Sequence, residues 1–290
     1  MLALGKKKNN LSRYFFVLPA YLIMAIVIIY PIIFVISNSF FTNKMGESVF
    51  VGIRNYRLAF KDPLFYIALK NNLILFLCVP LLSFLSLLTA SLLHAKIWGW
   101  RIFQSIIFIP YVLATPVVGI VFSYLLQLNG VVNKTLEAIN LQSLAKDWLG
   151  NPQLALFTIA GIIIWKQLGF GVVLFLARLM SVDNSLYEAA TIDGAGAIQK
   201  FWFITIPQTK KIIEFHVIIS LIDMLSWVFN YIFVMTGGGP GNKTYVLEFL
   251  IYKKAFGGGD MNIAMTYCVV ILFIASFLIT LYSLLLRKDD

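Results

Sequence analysis

Tyr14 to Asn43 reads YFFVLPAYLIMAIVIIYPIIFVISNSFFTN, thirty residues without a charge. A membrane-crossing helix needs about 20 predominantly apolar residues. The apolar region of a secretory leader runs only about 7–15 and ends at a small-residue cleavage site. This stretch is too long for a leader and has no convincing site, so it predicts a retained first membrane helix. The same reading extends outward. Charge-free gaps place a second helix at about Asn72–Leu93, a third at about Ile102–Leu126 and a sixth at about Ile263–Leu285. Leu154–Ala177 and Ile212–Met235 are apolar blocks with charges inside them, Lys166 in the first, Glu214 and Asp223 in the second. They predict helices 4 and 5.

Composition supports this. The chain of 290 residues is 60% hydrophobic and 12% charged, against roughly 25% charged in soluble domains. The expected fold class is an all-α membrane protein with six transmembrane helices and both termini on one side. The net charge of +10 points to helix-flanking cations and not to nucleic acid, because no basic stripe interleaves with exposed aromatics. Lys6, Lys7, Lys8 and Arg13 precede the first helix; Arg287 and Lys288 follow the last. The N-terminal cluster favours a cytoplasmic N-terminus. The expected layout is a cytoplasmic segment 1–13 and a single transmembrane domain 14–290. Val51–Asn71 mixes charges with apolar and aromatic residues, as in a helix lying on the membrane surface.

Several chemistries are excluded or left open. Gly237–Thr244 reads GGGPGNKT, but Asn242 stands where a phosphate-binding loop needs its second glycine. The segment also follows a membrane helix and contains Pro240, so it predicts a tight turn whose glycines take positive φ. Cys78 and Cys268 sit in apolar blocks and predict small packed hydrophobes. His94 and His216 predict interfacial histidines at helix ends near the inner face. No metal-ligand spacing and no catalytic constellation can be assembled, so an enzyme is not expected. Lys166 and Asp223 are costly at membrane depth, about 2.5–3.5 kcal/mol each. Asp223, Trp227, Asn230 and Val234 recur at helical spacing. Either they line a hydrated path for a polar solute, with Lys166 nearby, or Lys166 and Asp223 pair to hold two helices together.

The longest polar interruption is Glu188–Pro207, EAATIDGAGAIQKFWFITIP. Ser185-x-x-Glu188 fits a helix-starting capping box, Asp193-Gly194 offers a break, and a second piece, Ala195–Phe203, is closed by Pro207. Two short cytoplasmic helices follow, suited either to docking a partner or to resting on lipid headgroups.

The spacing of this stretch resembles a known signature. Glu188-Ala189-Ala190, three residues, Gly194, nine residues, then Ile204-Thr205-Ile206-Pro207 matches the EAA motif of the membrane subunits of binding-protein-dependent ABC importers, with Ile206 where leucine is usual. Asp193 and Ala195 match its common D-G-A form. Met235-Thr236-Gly237-Gly238-Gly239-Pro240, Ile251–Phe256, Phe50-Val51-Gly52 and Asn55-Tyr56 resemble the carbohydrate branch, which handles sugars, oligosaccharides and glycerol phosphate. Asn230 departs from the aspartate many relatives carry. The resemblance implies a type I ABC importer permease fold in the bacterial plasma (inner) membrane. It implies a coupling loop over 183–207 in which Glu188, Ala189, Ala190, Asp193, Gly194, Ala195, Ile204 and Pro207 meet an ATPase. It also implies four kinds of partner: a second homologous permease subunit, two cytoplasmic ATPase subunits that bind ATP and Mg, an extracellular solute-binding protein, and lipid. No cofactor is expected on this chain. The expected function is the transmembrane pathway subunit of an importer for sugars or oligosaccharides. The same importer with glycerol phosphate or another polar solute is the alternative, and an ion-coupled secondary transporter with Lys166 and Asp223 as relay is a more distant one.

Overall fold

The computed structural model describes residues 11–286 apart from 45 and 97; the flanking cations at 6–8 and 287–288 lie outside the described residues. The chain divides into two compact units. One comprises residues up to 61 together with 251–274, and the other comprises 62–250 with the end of the last helix. By length and composition, five helices are able to cross a membrane, and a sixth span results if one bent pair crosses as a unit.

In the first unit, α1 (Leu11–Met24) and α2 (Tyr30–Asn38) form one helix through a π turn at Ala25–Ile29. Within that turn the Tyr30 N–H reaches back to the Ala25 carbonyl, and Pro31 follows directly. A proline ring collides with the carbonyl four residues back and cannot donate. A turn widened to five residues opens the ladder where the proline enters. Beyond α2 a hairpin not foreseen in an all-α chain pairs β1 (Phe41–Lys44) with β2 (Glu47–Phe50), in the register Phe41↔Phe50. Then comes α3 (Arg54–Lys61). Asn55 is buried, and its amide donates to the Ser39 and Phe41 carbonyls at 2.9 and 2.7 Å. The Asn262 amide takes the Asn38 carbonyl at 3.0 Å. These side chains replace the helix donors that the end of α2 no longer has.

The second unit holds the bundle. Its first helix, α4, runs from Pro63 to His94, so the second span begins nine residues before the expected Asn72. Asp62 caps it, accepting from Leu64 N at 2.9 Å, with Pro63 in the first turn. The surface segment is correspondingly short and ends with α3. Next, α5 (Trp100–Val112) and α6 (Thr115–Leu125) take the place of the third span over Ile102–Leu126 and meet at 98°, a bend of the kind that Pro110 and Pro116 favour. The external segment carries α7 (Val131–Ala138) and a 3-10 turn at Gln142–Leu144. It is gathered on buried Asn133, whose amide donates to the Leu128 and Lys146 carbonyls at 3.0 and 2.8 Å and whose oxygen accepts from Trp148 Nε1 at 2.8 Å. The fourth span is α8 (Ala155–Leu179). The polar stretch forms α9 (Asn184–Ile192) and α10 (Ala197–Lys200). The fifth span divides into α11 (Ile206–Ser226) and α12 (Val228–Met235). A last helix outside the spans, α13 (Leu247–Phe256), and the sixth span, α14 (Met261–Leu286), complete the chain, with residues 251–274 belonging to the first unit.

Helix packing in lipid gains little from the hydrophobic effect and relies on close approach at small residues. Here α8 is the hub. A Cβ on Gly169 would lie 2.5 Å from the Ile107 carbonyl oxygen of α5, so only glycine permits that crossing. Toward the inner end, Leu87, Ala90 and Leu93 of α4 pack with Val172, Phe175, Leu176 and Leu179 of α8.

The glycine loop after α12 turns as expected, with Gly237, Gly238 and Gly241 all at positive φ. Its hydrogen bonds point inward. Thr236 and Thr244 hydroxyls pair at 2.8 Å, and Thr244 Oγ1 donates to the Gly239 carbonyl at 2.7 Å. Neighbouring asparagines of α4 read the next backbone segment. Asn71 donates to the Lys243 and Tyr245 carbonyls at 2.8 and 2.7 Å, and Asn72 Oδ1 accepts from Leu247 N at 2.8 Å. The Asn72 amide also donates to the Glu248 carboxylate at 3.3 Å. Burial pushes the Glu248 carboxyl up from 4.5 to about 7, against the opposing pull of its own backbone N–H and of Asn72.

Because the folded carboxyl holds its proton more tightly than the unfolded one, stability falls as pH rises from about 4.5 to about 7 and is level above that. Glu248→Gln is expected to flatten this decline and to melt higher than the parent at pH 8. Thermal unfolding in detergent from pH 4.5 to 8 checks it, and an unchanged slope would refute it.

Candidate coupling site and solute path

The polar stretch is built from local signals. Asp183, not Ser185, is the N-cap of α9; its carboxylate accepts from Ser185 N at 2.9 Å. That backbone bond, with the Ser185 hydroxyl, holds the Asp183 carboxyl below its ordinary value. The expected capping box does not form, because an aspartate two residues before the serine is an equally good cap and puts Leu186 in the third helical position. At the other end Gly194 has φ +81°. Gly194 N donates to the Thr191 carbonyl at 3.1 Å and Ala195 N to the Ala190 carbonyl at 2.8 Å. This pair of bonds is the Schellman motif, and it explains the glycine: any side chain is strained there by φ, although no atom lies within 4 Å of its Cβ position. The next helix starts at once, the Gln199 side chain accepting from Gly196 N at 2.8 Å.

After α10 the chain does not stop at Pro207. A π turn at Phe201–Thr205 joins α10 to α11, the Ile206 N–H reaching back to the Phe201 carbonyl. The expected break at Pro207 is thus replaced by a continuous helical rod from Ala197 to Ser226, admitted by the same device as at Pro31. The loop is fastened to the bundle at three points. Tyr187 and Thr205 hydroxyls pair at 3.1 Å. The Tyr187 ring lies 5.8 Å from that of His94 at the end of α4. Arg178 at the end of α8 donates to the Gln208 carbonyl at 3.0 Å. Lys200 Nζ donates to Thr191 Oγ1 at 2.7 Å, tying α10 back to α9. A cavity of about 430 Å³ lies under the loop, lined by Ser91, His94, Tyr187, Glu188 and Lys200 among others.

Of the expected coupling residues, Glu188, Ala189, Asp193, Gly194 and Pro207 are exposed, and Ala190, Ala195 and Ile204 are half-buried. The stretch also exposes large apolar side chains, Ile192 at 87% and Ile198 at 76%. The two isoleucines stand nearly bare on either side of the Gly194 turn.

The intramembrane charges Lys166 and Asp223 lie near enough to attract one another, but their closest partners differ. Lys166 is buried, and its Nζ donates to the Tyr111 carbonyl at 3.1 Å while lying 5.5 Å from the Tyr111 ring centroid. Tyr111 belongs to the last turn of α5, where the 98° bend leaves carbonyls without helix partners. A cation at a helix C-terminus also answers the negative end of its dipole. No ion pair joins Lys166 to Asp223 among the described residues. Asp223 instead shares a cleft with Gln167, Ser220, Trp227 and Tyr231. Asn230 does not line it. The expected four-residue stripe is divided because the helix is interrupted at Trp227. Beyond the interruption Val234 packs on α6, 3.3 Å from where a Cβ of Gly119 would stand.

Residues 82–288 match the family model for the binding-protein-dependent transport system inner membrane component. This chain is a permease of that family. Its relatives include the lactose transport system permease protein LacF of Rhizobium radiobacter, 34% identical over 86% of this chain and 87% of that one. The arabinooligosaccharides transport system permease protein AraP of Bacillus subtilis is 32% identical over 91% and 84%. Among solved structures, the crystal structure of a bacterial ABC transporter involved in the import of the acidic polysaccharide alginate superposes with a TM-score of 0.83. It is 25% identical and covers 97% of this chain and 96% of that one. The type I importer permease fold and a multi-pass location in the inner membrane follow from this membership.

In this permease one further expectation is corrected. His216 is not at a helix end but wholly buried in the middle of α11. The expected fifth span starts at Ile212, close to His216, whereas α11 begins ten residues before it, and nothing local reveals the serines on another helix that accommodate it.

Two measurements test the site. Gly194→Val forces a β-branched residue to positive φ, a strain of about 2 kcal/mol. Uptake is expected to fall about ten-fold or more with normal permease levels in the membrane, whereas Gly194→Asn, which tolerates this conformation, retains most of it. For the buried charges, the swap of Lys166→Asp with Asp223→Lys is expected to recover no uptake beyond either single variant, because the two attract through space without a direct ion pair. Recovery of uptake in the swap beyond either single variant would restore direct pairing.

Proposed function

We propose that this permease forms the transmembrane path of an ATP-driven importer for sugars or oligosaccharides and that residues 183–207 are its coupling element. The observation that carries the reading is mechanical. A rigid, exposed, apolar-tipped turn is continuous with a helix that enters the bundle, so a push on the turn is a push on α11. The energy source then lies outside this chain. A partner ATPase pair binds ATP and Mg, and each ATPase receives one such loop, this one through Glu188, Ala189, Ala190, Asp193, Gly194 and Ala195. Ile204 and Pro207 belong to the π turn and its exit, where the loop becomes the bundle helix. Hydrolysis is not a property of this chain.

A second homologous permease completes the path, an extracellular solute-binding protein delivers the solute, and lipid surrounds both. Nucleic acid has no place in the reading. The cleft beside α11 is closed down to about 10 Å³ here, room for no more than one water, so a sugar would meet its residues only once the path opens. Trp227 is half exposed there, and an indole face suits the apolar face of a sugar ring while Asp223, Gln167 and Ser220 supply hydrogen-bond partners. Lys166 belongs to the path only indirectly, through the bend it holds, and Asn230 lies beyond the interruption at Trp227. The names of the relatives, lactose and arabinooligosaccharides, agree with this class. An ion-coupled relay gains no support, since Lys166 is spent on a backbone carbonyl.

Reconstitution with the cognate partners decides between these readings. Uptake is expected to require ATP and the binding protein and to continue with an uncoupler present. Trp227→Ala is expected to lower uptake about ten-fold, by the removal of roughly 1.4 kcal/mol of ring contact, with the amount of ATPase bound unchanged. Uptake that stops with the uncoupler would refute the reading.

A further inference from the structure

Three helices meet on one polar point inside the bundle. His216 of α11 is fully buried, with Nδ1 2.8 Å from Ser83 Oγ on α4. Its ring lies against Phe170 and Phe175 of α8, at 6.0 and 5.2 Å between centroids. One turn farther along α4, Ser86 is fully buried as well. Ser86 Oγ and His216 Nε2 have no hydrogen-bond partner among the described residues. Yet both press on the same spot. A Cβ on Gly171 would collide with Ser86 Oγ and would lie 2.7 Å from His216 Nε2. Two unpaired, buried polar atoms therefore face one another across the bare Cα of a glycine.

Their chemistry is complementary. A neutral imidazole carries one acceptor nitrogen and one N–H. With the Ser83 hydroxyl donating to Nδ1, the ring hydrogen sits on Nε2, the nitrogen turned toward Ser86 Oγ, which is able to accept it. The bond is unmade in this arrangement although a small displacement would make it. Packed interfaces of this kind switch between discrete arrangements and do not deform continuously.

The displacement has a source. His216 lies on the rod that begins in the coupling loop, α10 through the π turn into α11. We propose that His216 and Ser86 hydrogen-bond in the alternative state of the access cycle, forming a clasp that is open here and closes when the α10–α11 rod is displaced along α4. His216 is then a positioning residue for transport, and Gly171 leaves the room in which the clasp works. The inference rests on the coupling role proposed for residues 183–207. The two fail separately: Gly194→Val tests the loop, and Ser86 tests the clasp.

The experiment uses the whole importer in lipid nanodiscs, with its ATPases and binding protein. Ser86→Ala leaves the Ser83–His216 bond intact, so assembly and the melting temperature at rest are expected to match the parent. Binding-protein-stimulated ATPase kcat is expected to fall about five-fold, the factor that one neutral hydrogen bond is worth. The concentration of binding protein for half-maximal stimulation stays the same. Ser83→Ala is expected instead to lower the resting melting temperature. A direct reading needs no variant: with only this subunit ¹⁵N-labelled, its two histidines give separable ring signals. The Nε2–H signal of His216 is expected to shift to its hydrogen-bonded position on trapping with ATP and vanadate. An unmoved signal in the trapped complex, or full stimulated activity in Ser86→Ala, would overturn the clasp.

Discussion

Backbone hydrogen bonding in hydrocarbon governs this fold. Each peptide group that a bend or a proline frees inside the bilayer must find a partner, because no water is there to serve. The permease breaks its helices repeatedly, and four of the breaks have an identifiable answer. At the bend between α5 and α6 a lysine ammonium reaches the freed Tyr111 carbonyl. At Pro31 and Pro207 the preceding turn widens to a π turn. At Gly194 two backbone bonds close the end of α9. Outside the hydrocarbon, asparagine side chains do the same for loops, at Asn55, Asn71, Asn72 and Asn133. Asparagine suits the task since its amide repeats the donor and acceptor of a peptide group.

Magnitudes decide what Lys166 is for. A lysine in mid-membrane costs about 2.5–3.5 kcal/mol, and a hydrogen bond from a charged donor returns about 1.5–3. The two nearly cancel, so Lys166 contributes little net stability. What it fixes is geometry: where the third span bends, and hence where α6 lies against α12. Gly169 and Gly171 act in the same sense. They bring α8 within backbone distance of α5 and of the α4–α11 polar point, and the short distances make each polar contact specific to one register.

Much of the fold was legible in the sequence because spans announce themselves by length and by missing charge. The first, fourth and sixth helices fall where the apolar blocks put them. The polar loop at 183–207 was legible for a different reason. Its turn is made by local residues, Asp183 at one end and Gly194 at the other, within reach of spacing arguments even though the capping residue was taken two positions late. What remained hidden depends on pairing across helices. The stripe from Asp223 to Val234 presumes an unbroken helix, and the interruption at Trp227 divides it. Lys166 and Asp223 invite pairing as opposite charges at similar depth, but the nearer partner is a carbonyl exposed only by a bend that two prolines in sequence do not specify. His216 and the stapling asparagines gave no signal, since their partners lie on other segments.

The π turn at Phe201–Thr205 has a consequence for how such a chain is able to vary. One extra residue within a helical turn rotates everything after it by about 100° while advancing it by only about 1.5 Å. The turn therefore acts as a phase adjuster between two surfaces on one rod. The face that α10 presents to the cytoplasm and the face that α11 presents to the bundle are set independently, though no joint lies between them. An importer built this way keeps a stiff transmission and still lets its docking surface be re-aimed, by moving or removing a single turn, without repacking the membrane core.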